Sequence, residues 1–307
     1  MISSRNRPIS RVPRELPILV FLVALCLGLA AANRNFLAAG NLRTMGTDAA
    51  AIGIISVGMT AVIITGGIDL SVAAILALSA LIGGGLIAHG SVLLGCAATL
   101  ATGLACGALN GGLITIARMP PIIATLGTFY VLQSAATLYS GGNVVYLAGH
   151  LSCLGSGYAP LAIMLGVYAT GHAVMRVTRI GRYVYAVGGN EESARLAGIS
   201  PARVKMTVYV GGGVLAAVAA LVTMGINDLF QANDVMGYEL AAIAAVVIGG
   251  TSIMGGQGSV LGTMIGVGIS TVLRNGAILT GLEARWADAV VGAAILAAVT
   301  MDKLRRR

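Results

Sequence analysis

Long apolar runs with few charges constrain the fold of this chain more than any other feature of its sequence. Of the 307 residues, 57% are hydrophobic and only 10% are charged, and the mean hydropathy is +0.91. Soluble domains carry roughly 25% charged residues, which cover their outer surface. Because lipid can cover an apolar surface, the sequence predicts an all-α polytopic membrane protein.

The apolar runs divide into about ten predicted transmembrane helices, since a helix needs roughly 20 apolar residues to cross the bilayer core. They make residues 16–302 a single transmembrane domain between a cytoplasmic segment, 1–15, and a basic cytoplasmic tail, 303–307. The predicted spans are 16–32, 49–66, 70–88, 91–117, 121–140, 158–175, 207–226, 239–253, 259–277 and 286–301.

The basic residues predict the orientation. An even number of spans puts both termini on one side, and a cytoplasmic location for them places most of the 19 basic residues in inside segments. This is the bias that orients membrane proteins. The net charge of +8 therefore needs no nucleic-acid partner.

Several kinds of chemistry are not expected of this chain. Neither Lys205 nor Lys303 follows a glycine, so the chain has no phosphate-binding loop of the G-x-x-x-x-G-K-[ST] type. No spacing of cysteine or histidine predicts a metal site, a cofactor or a catalytic centre. We therefore expect a non-catalytic subunit, with any ATP hydrolysis on a separate chain.

Two glycine-rich segments interrupt predicted helices and form a weak internal repeat, either parallel or inverted. Broken helices free backbone groups that can line a polar path. The alternative is an ordinary turn in which an Asp or Ser side chain caps the next helix. The candidate path residues of the two segments are Thr65, Gly66, Gly67, Asp69 and Ser71, and Gly250, Thr251 and Ser252.

Three polar residues embedded in predicted spans extend this candidate path. Asn110 either contacts the transported solute or joins helices by hydrogen bonds. Thr125 and Thr128 lie three residues apart on one helix face, which is either a pore wall or a helix contact. A neutral, hydroxyl-rich solute would need such hydrogen-bonding groups and no fixed charge.

The largest predicted inside loop, residues 176–206, contains a short helix that is either a docking surface or part of a solvated loop. Asn190 suits its N-cap, acidic residues fill its first turn, and Gly198 ends it. The candidate coupling residues are Gly189, Asn190, Glu191, Glu192, Ala194, Arg195 and Gly198.

Six motifs in the same order resemble the permease subunit of bacterial ABC importers for simple sugars, the group that contains the ribose permease. The resemblance covers roughly residues 35–302. Two positions depart from the family pattern, because Ala241 stands where the family usually has Asp and Gln133-Ser134 where it often has Arg-Gly. The motifs are Asn35–Leu37 with Asn41-Leu42, Val57–Met59 through Gly66–Ser71, Asn110-Gly111, Pro120–Thr128, Gly181–Ile199, and Tyr238–Leu240 leading into Ile243–Ser252.

The resemblance implies a permease of the bacterial inner (plasma) membrane that forms the translocation path for a monosaccharide or similar small polar solute. Its implied partners are cytoplasmic ATP-binding subunits that dock on residues 188–205, a second permease copy or a paralogous permease, and a periplasmic sugar-binding protein. The competing interpretations are a secondary carrier or channel without an ATPase, and a non-transporting scaffold. A carrier usually keeps ionisable groups at the membrane midplane, and the predicted spans offer no strong candidate there.

Overall fold

A computed structural model describes residues 15–281 and, beyond them, residues 286, 289, 292 and 293. The predicted terminal segments 1–15 and 303–307 and the predicted tenth span, 286–301, therefore lie almost entirely outside the described residues.

The described part of the chain is helical apart from its connections and two short strands. A 3-10 helix covers Arg34–Leu37, and strand β1 (Val145–Tyr146) pairs antiparallel with β2 (Leu229–Phe230). The α-helices are α1 (Leu16–Ala32), α2 (Ala39–Ile64), α3 (Val72–Ala88), α4 (Val92–Thr115), α5 (Pro121–Ser140), α6 (Ser152–Gly155), α7 (Ala159–Val177), α8 (Arg179–Gly189), α9 (Glu191–Leu196), α10 (Pro201–Asn227), α11 (Tyr238–Ile248) and α12 (Val260–Leu279).

The helices make this an all-helical, polytopic membrane protein. Among the described residues, five helices are long and apolar enough to cross a bilayer, namely α2, α4, α5, α7 and α10. Helices α1, α3 and α11 are apolar but shorter. Each of the first nine predicted spans overlaps a helix, while the count of ten remains a prediction.

Helix α2 differs from its predicted span because it begins at Ala39, ten residues before the predicted start at residue 49. The additional turns are polar, so hydropathy does not detect them, but they contain no proline to break a helix. Their hydroxyls are satisfied within the helix, since Thr44 and Thr47 each donate to the carbonyl four residues earlier. Asp48, predicted to lie outside the span, is therefore inside α2.

Helix α10 lies at the centre of the described helices and packs against α2, α3 and α4. Glycines allow its close approach to α4. A Cβ atom at Gly107 would lie 2.5 Å from the carbonyl oxygen of Tyr209 and 3.2 Å from Cα of Gly213. Small residues at such contacts are typical of helices packed within membranes.

Connections predicted on the same side of the membrane contact one another. On the predicted outside, β1 pairs with β2, and the Asn33 amide donates to the carbonyl oxygen of Leu279. On the predicted inside, the Gly256 N–H donates to Ile64 O at 2.8 Å. The contacts agree with the alternation predicted for the first nine spans, and both the number of spans and the cytoplasmic location of the termini remain predictions.

Candidate functional site

The first glycine turn rests on a buried network of polar side chains. Asn110 on α4 donates to Ser71 Oγ at 2.7 Å and accepts from Thr128 Oγ1 on α5 at 2.7 Å. Ser71 Oγ donates to Asp69 Oδ1 at 2.6 Å, and Asp69 also accepts the Ser71 N–H at 2.9 Å. All four residues are buried. Of the two roles predicted for Asn110, these contacts favour the link between helices.

Thr125 connects α5 to the same turn. Its Oγ1 donates to Ile68 O at 3.1 Å and accepts the Leu70 N–H at 3.2 Å, and its side chain is fully buried. Asp69, Ser71, Asn110, Thr125 and Thr128 are thus gathered around one turn. Thr125 and Thr128 share a face, as predicted, and that face is a helix contact in this structure.

The two glycine turns end their helices in the same way. Gly66 has φ +80° and Gly250 has φ +85°, the left-handed conformation that glycine adopts without strain. In each turn this glycine donates to the carbonyl three residues earlier, and the next residue donates to the carbonyl five residues earlier. This is the Schellman pattern of helix termination. The two turns therefore share a local geometry that is common at helix ends, and the internal repeat remains a prediction.

The two glycine turns meet each other and the end of α8 through backbone contacts. Gly256 N–H donates to Ile64 O at 2.8 Å. A Cβ at Gly188 would overlap Ile64 O, and a Cβ at Gly255 would lie 3.0 Å from Ile64 O and 3.1 Å from Gly188 O. We call Ile64, Gly188, Gly255 and Gly256 the inner glycine junction. It joins the broken helices directly to the helix that precedes the predicted coupling residues.

The remaining path candidates lie at the turns and outside the Asn110 network. Thr65 is buried, with its Oγ1 donating to Val62 O at 2.7 Å. Ser252 N–H donates to Gln257 O at 2.9 Å and closes the second turn. Thr251 Oγ1 is buried and has no hydrogen-bond partner within the described ranges.

The predicted coupling residues form a short amphipathic pair of helices, α8 and α9. As predicted, Asn190 caps α9, accepting the Ser193 N–H at 2.7 Å, and Gly198 follows it with φ +83°. Lys205 at the start of α10 donates to Glu191 Oε2 at 2.6 Å. The first turn of α9 is therefore joined to the start of α10.

The exposed face of α9 has a feature that sequence reasoning missed. Ala194 is 4% exposed and lies on the buried face of α9, whereas Leu196 is 79% exposed. On α8, Ile180 and Tyr183 are also exposed. The sequence signal that could have identified this apolar surface is a leucine among the charged residues of a six-residue helix.

The charges beside this surface pair with each other. Arg195 donates from Nη2 to Glu192 Oε1 at 2.6 Å and from Nε to Oε2 at 3.0 Å. This hydrogen bonding holds the pKa of the Glu192 carboxyl below its ordinary value. Because both side chains are exposed, the pair contributes little to stability.

A second group of polar residues, on the predicted outer side, was also missed. Asp48 lies in the third turn of α2, and α12 presents Ser270, Arg274 and Asn275 to it across a cavity. Asn41 and Asn275 exchange amide hydrogen bonds of 3.0 and 2.8 Å. The available signal was the spacing of seven residues between Asn41 and Asp48, which puts both on one helix face.

Comparison with known proteins gives a consistent result along the chain. Residues 41–299 match the family described as branched-chain amino acid transport system, permease component. The ribose import permease protein RbsC of Bacillus subtilis is 38% identical over 284 residues, which cover 88% of this chain and 87% of that protein. RbsC of Escherichia coli K12 is 36% identical over 283 residues, covering 89% and 88%.

A fructose permease shows a similar relationship. The fructose import permease protein FrcC of Rhizobium meliloti is 31% identical over 315 residues, covering 96% of this chain and 86% of that protein. No solved structure matches significantly. The chain belongs to this family of transport-system permease components, and the resemblance to permease subunits of sugar importers is confirmed.

Proposed function

We propose that this chain is the membrane subunit of an ATP-driven importer and forms the path through which a monosaccharide or similar small polar solute crosses the bacterial inner membrane. The observation that carries this proposal is the match of ribose and fructose import permeases over most of the chain. The family description mentions branched-chain amino acids, whereas these relatives are named for ribose and fructose.

The proposed assembly has three kinds of partner besides the lipid bilayer. Cytoplasmic ATP-binding subunits supply the energy, and a periplasmic binding protein delivers the solute. A second copy of this chain, or a paralogous permease, completes the membrane part. Both termini of the chain lie in the cytoplasm in this arrangement. The permease itself carries out no chemical step.

Helix α9 and the exposed side of α8 form the proposed docking surface for the ATP-binding subunit. The exposed Leu196, with Ile180 and Tyr183 beside it, offers apolar contacts, and Glu192 and Arg195 offer a polar border. Gly189, Asn190, Glu191, Ala194 and Gly198 shape and anchor the helix that carries this surface.

Leu196→Asp tests this docking surface. We expect it to abolish uptake without lowering the amount of permease in the membrane, because the side chain is 79% exposed and folding does not depend on it. In a docked interface the new carboxylate would be buried without a partner, which is costly. Uptake and retention of the ATP-binding subunit after detergent extraction are measured, with Leu196→Met as control. If Leu196→Asp leaves both retention and uptake normal, α8 and α9 do not dock the ATP-binding subunit and belong to an ordinary solvated loop.

The proposed path runs along the two glycine turns and the helices beside them. In the conformation described, Thr125 and Thr251 are 0% and 3% exposed. We propose that this is a closed state, and that movement of the turns opens the path to groups such as Thr65, Asn110, Thr128 and Ser252.

Cysteine accessibility tests the path, after Cys26, Cys96, Cys106 and Cys153 are replaced by serine. We expect Thr125→Cys and Thr251→Cys to react slowly with a water-soluble methanethiosulfonate in the resting importer and faster when ATP is bound or hydrolysed. Asn143→Cys, in an exposed outer loop, is the control that reacts in every state. If both test positions stay inert in every nucleotide state, these segments only pack helices and the path lies elsewhere.

Reconstitution in proteoliposomes tests the function itself. The permease is combined with the ATP-binding subunit and binding protein of the same organism, and uptake of labelled pentoses, hexoses and leucine is measured. We expect sugar uptake that requires ATP and stops with an ATPase-inactive partner. Uptake that continues without ATP would establish the secondary carrier or channel, which the comparisons do not favour.

A further inference from the structure

A small polar cavity lies on the predicted outer side, between α2, α11 and α12. Its volume is about 110 Å³. We call it the outer polar cavity, and its walls include Asp48, Ile52, Ala241, Ser270, Arg274 and Asn275. The two charged residues lie within helices that the fold assigns to the membrane domain.

The charges of the outer polar cavity are unusual for their place in the chain. Asp48 lies nine residues after the start of α2, about 14 Å along the helix. Arg274 on α12 attracts it electrostatically. Ionisable residues within membrane domains are costly and typically mark the routes of solutes.

Ser270 on α12 and Ser79 on α3 depart from a pattern that many hydroxyls in the helices of this chain follow. Serine and threonine hydroxyls in helices often donate to the carbonyl four residues earlier. Ser270 could reach Gly266 in the same way, yet its Oγ is buried and has no hydrogen-bond partner among residues the structure describes. The helical hydroxyls that do follow the pattern include Ser56, Thr60, Thr99, Thr102, Thr115 and Thr223. Unlike Ser79, Ser270 lines the outer polar cavity, so its hydroxyl is placed to bond a group that enters this space.

The functional groups of the cavity suit a neutral solute with several hydroxyls. The Asp48 carboxylate accepts hydrogen bonds, the Arg274 guanidinium donates them, and the Ser270 hydroxyl can do both. Opposite charges on Asp48 and Arg274 offset each other, so neither a simple cation nor a simple anion is favoured. Ile52 and Val267 supply apolar wall for the C–H face of a sugar ring.

The size of the cavity limits the solute. At about 110 Å³ the cavity is small, which favours a solute with one sugar ring over a larger one. A larger, mostly apolar cavity of about 240 Å³ shares Met45, Val267 and Thr271 with it. Methionine side chains are flexible, so Met45 can move and let a single sugar ring occupy both spaces.

We propose that the outer polar cavity is the site at which the permease first holds a monosaccharide released on the outer side, with Asp48, Ser270 and Arg274 bonding its hydroxyls. This proposal rests on the proposed function. The same charge pair could hold the two ends of an amino acid zwitterion, and the test therefore includes leucine.

The test uses the complete importer in proteoliposomes, with its binding protein, and measures the KM of sugar uptake. Ser270→Ala should raise this KM roughly three- to tenfold and Asp48→Asn roughly tenfold or more, as expected for neutral and charged hydrogen bonds. Ser79→Ala is the matched control, because Ser79 Oγ is also buried without a partner but lies on α3, away from the cavity.

The outcomes separate this proposal from the function on which it rests. If wild type imports sugar and both variants behave like Ser79→Ala, the cavity is not a sugar site, although the importer function stands. If wild type imports leucine and no sugar, and Asp48→Asn stops it, the site holds a zwitterion and the sugar proposal is wrong. Uptake of none of the solutes by an assembled, ATP-hydrolysing complex would contradict the proposed function itself.

A direct measurement covers the case in which Asp48→Asn fails to assemble. In the cysteine-free background, Ser270→Cys should react with a small methanethiosulfonate added from outside, and millimolar sugar should slow the reaction severalfold. Labelling that sugar does not slow would contradict the proposal.

Discussion

The inner glycine junction and the outer polar cavity are assembled in opposite ways. At the junction, Gly188 and Gly255 approach Ile64 through backbone atoms, with no side chain between them. At the cavity, helices α2 and α12 are joined by side chains, such as the amide pair of Asn41 and Asn275.

The difference separates two tasks of a transporter. Backbone packed on backbone has little freedom to adjust, so a displacement of α8 is passed on to both glycine turns. Polar side chains can rotate and exchange partners, as the proposed binding and release of a solute on the outer side would require. This comparison predicts that substitutions at the junction are more severe than those at the outer side.

Gly188→Ala should have the largest effect. The added methyl group would overlap Ile64 O, which cannot rotate away as a side chain can. Overpacking of this kind typically costs 1–3 kcal/mol, and about 3 kcal/mol or more is expected against backbone. Folded permease, thermal stability in detergent and uptake are measured, and all three should fall.

The control for Gly188 is Gly211→Ala on α10, where an added methyl group meets nothing within 4 Å. Its uptake and stability should match those of wild type. If Gly188→Ala behaves in the same way, the junction tolerates displacement and its proposed role in passing on movement is wrong.

Asn110→Leu should have an intermediate effect. It removes two buried hydrogen bonds and leaves Ser71 and Thr128 each without one partner, at a cost of about 1–3 kcal/mol per group. Stability and uptake should both fall, while the ATP-binding subunit still docks. Thr102→Ala on the same helix, which removes only a bond to Ala98 O, should leave both nearly unchanged.

The Asn41–Asn275 pair should give the smallest effect. Both side chains are only partly buried, so water can replace a lost partner, and each single alanine variant should cost about 1 kcal/mol. A double-mutant cycle on thermal unfolding should give a double variant less destabilised than the sum of the single ones. Strict additivity would show that the amide pair does not join the two helices.

Sequence reasoning located helices better than the contacts between them. The apolar runs predicted nine of the described helices, and Asn190 and Gly198 predicted the ends of α9. The start of α2 was missed because Asn41 and Asp48 lower the hydropathy of turns that are nevertheless helical.

The polar network shows why the contacts between helices could not be predicted from the sequence. Asn110, Thr125 and Thr128 were each identified as candidates, but local patterns do not show that they converge on Ser71. The inner glycine junction is even harder to predict, because Gly188 and Ile64 are far apart in sequence and glycine has no side chain to indicate a partner. Such contacts depend on how the helices are arranged, which no single segment specifies.

The ion pair between Glu191 and Lys205 would let α10 transmit a displacement of α9 along its whole length. It fastens the short helix α9 to the first turns of α10, whose 27 residues make a rod about 40 Å long. A displacement of α9 would tilt this helix. Because α2, α3 and α4 pack against its sides, a small movement at the α9 end would become a sideways shift at the opposite surface of the membrane. Helix α2 borders the outer polar cavity, so the tilt of α10 alone could weaken the binding of a solute there.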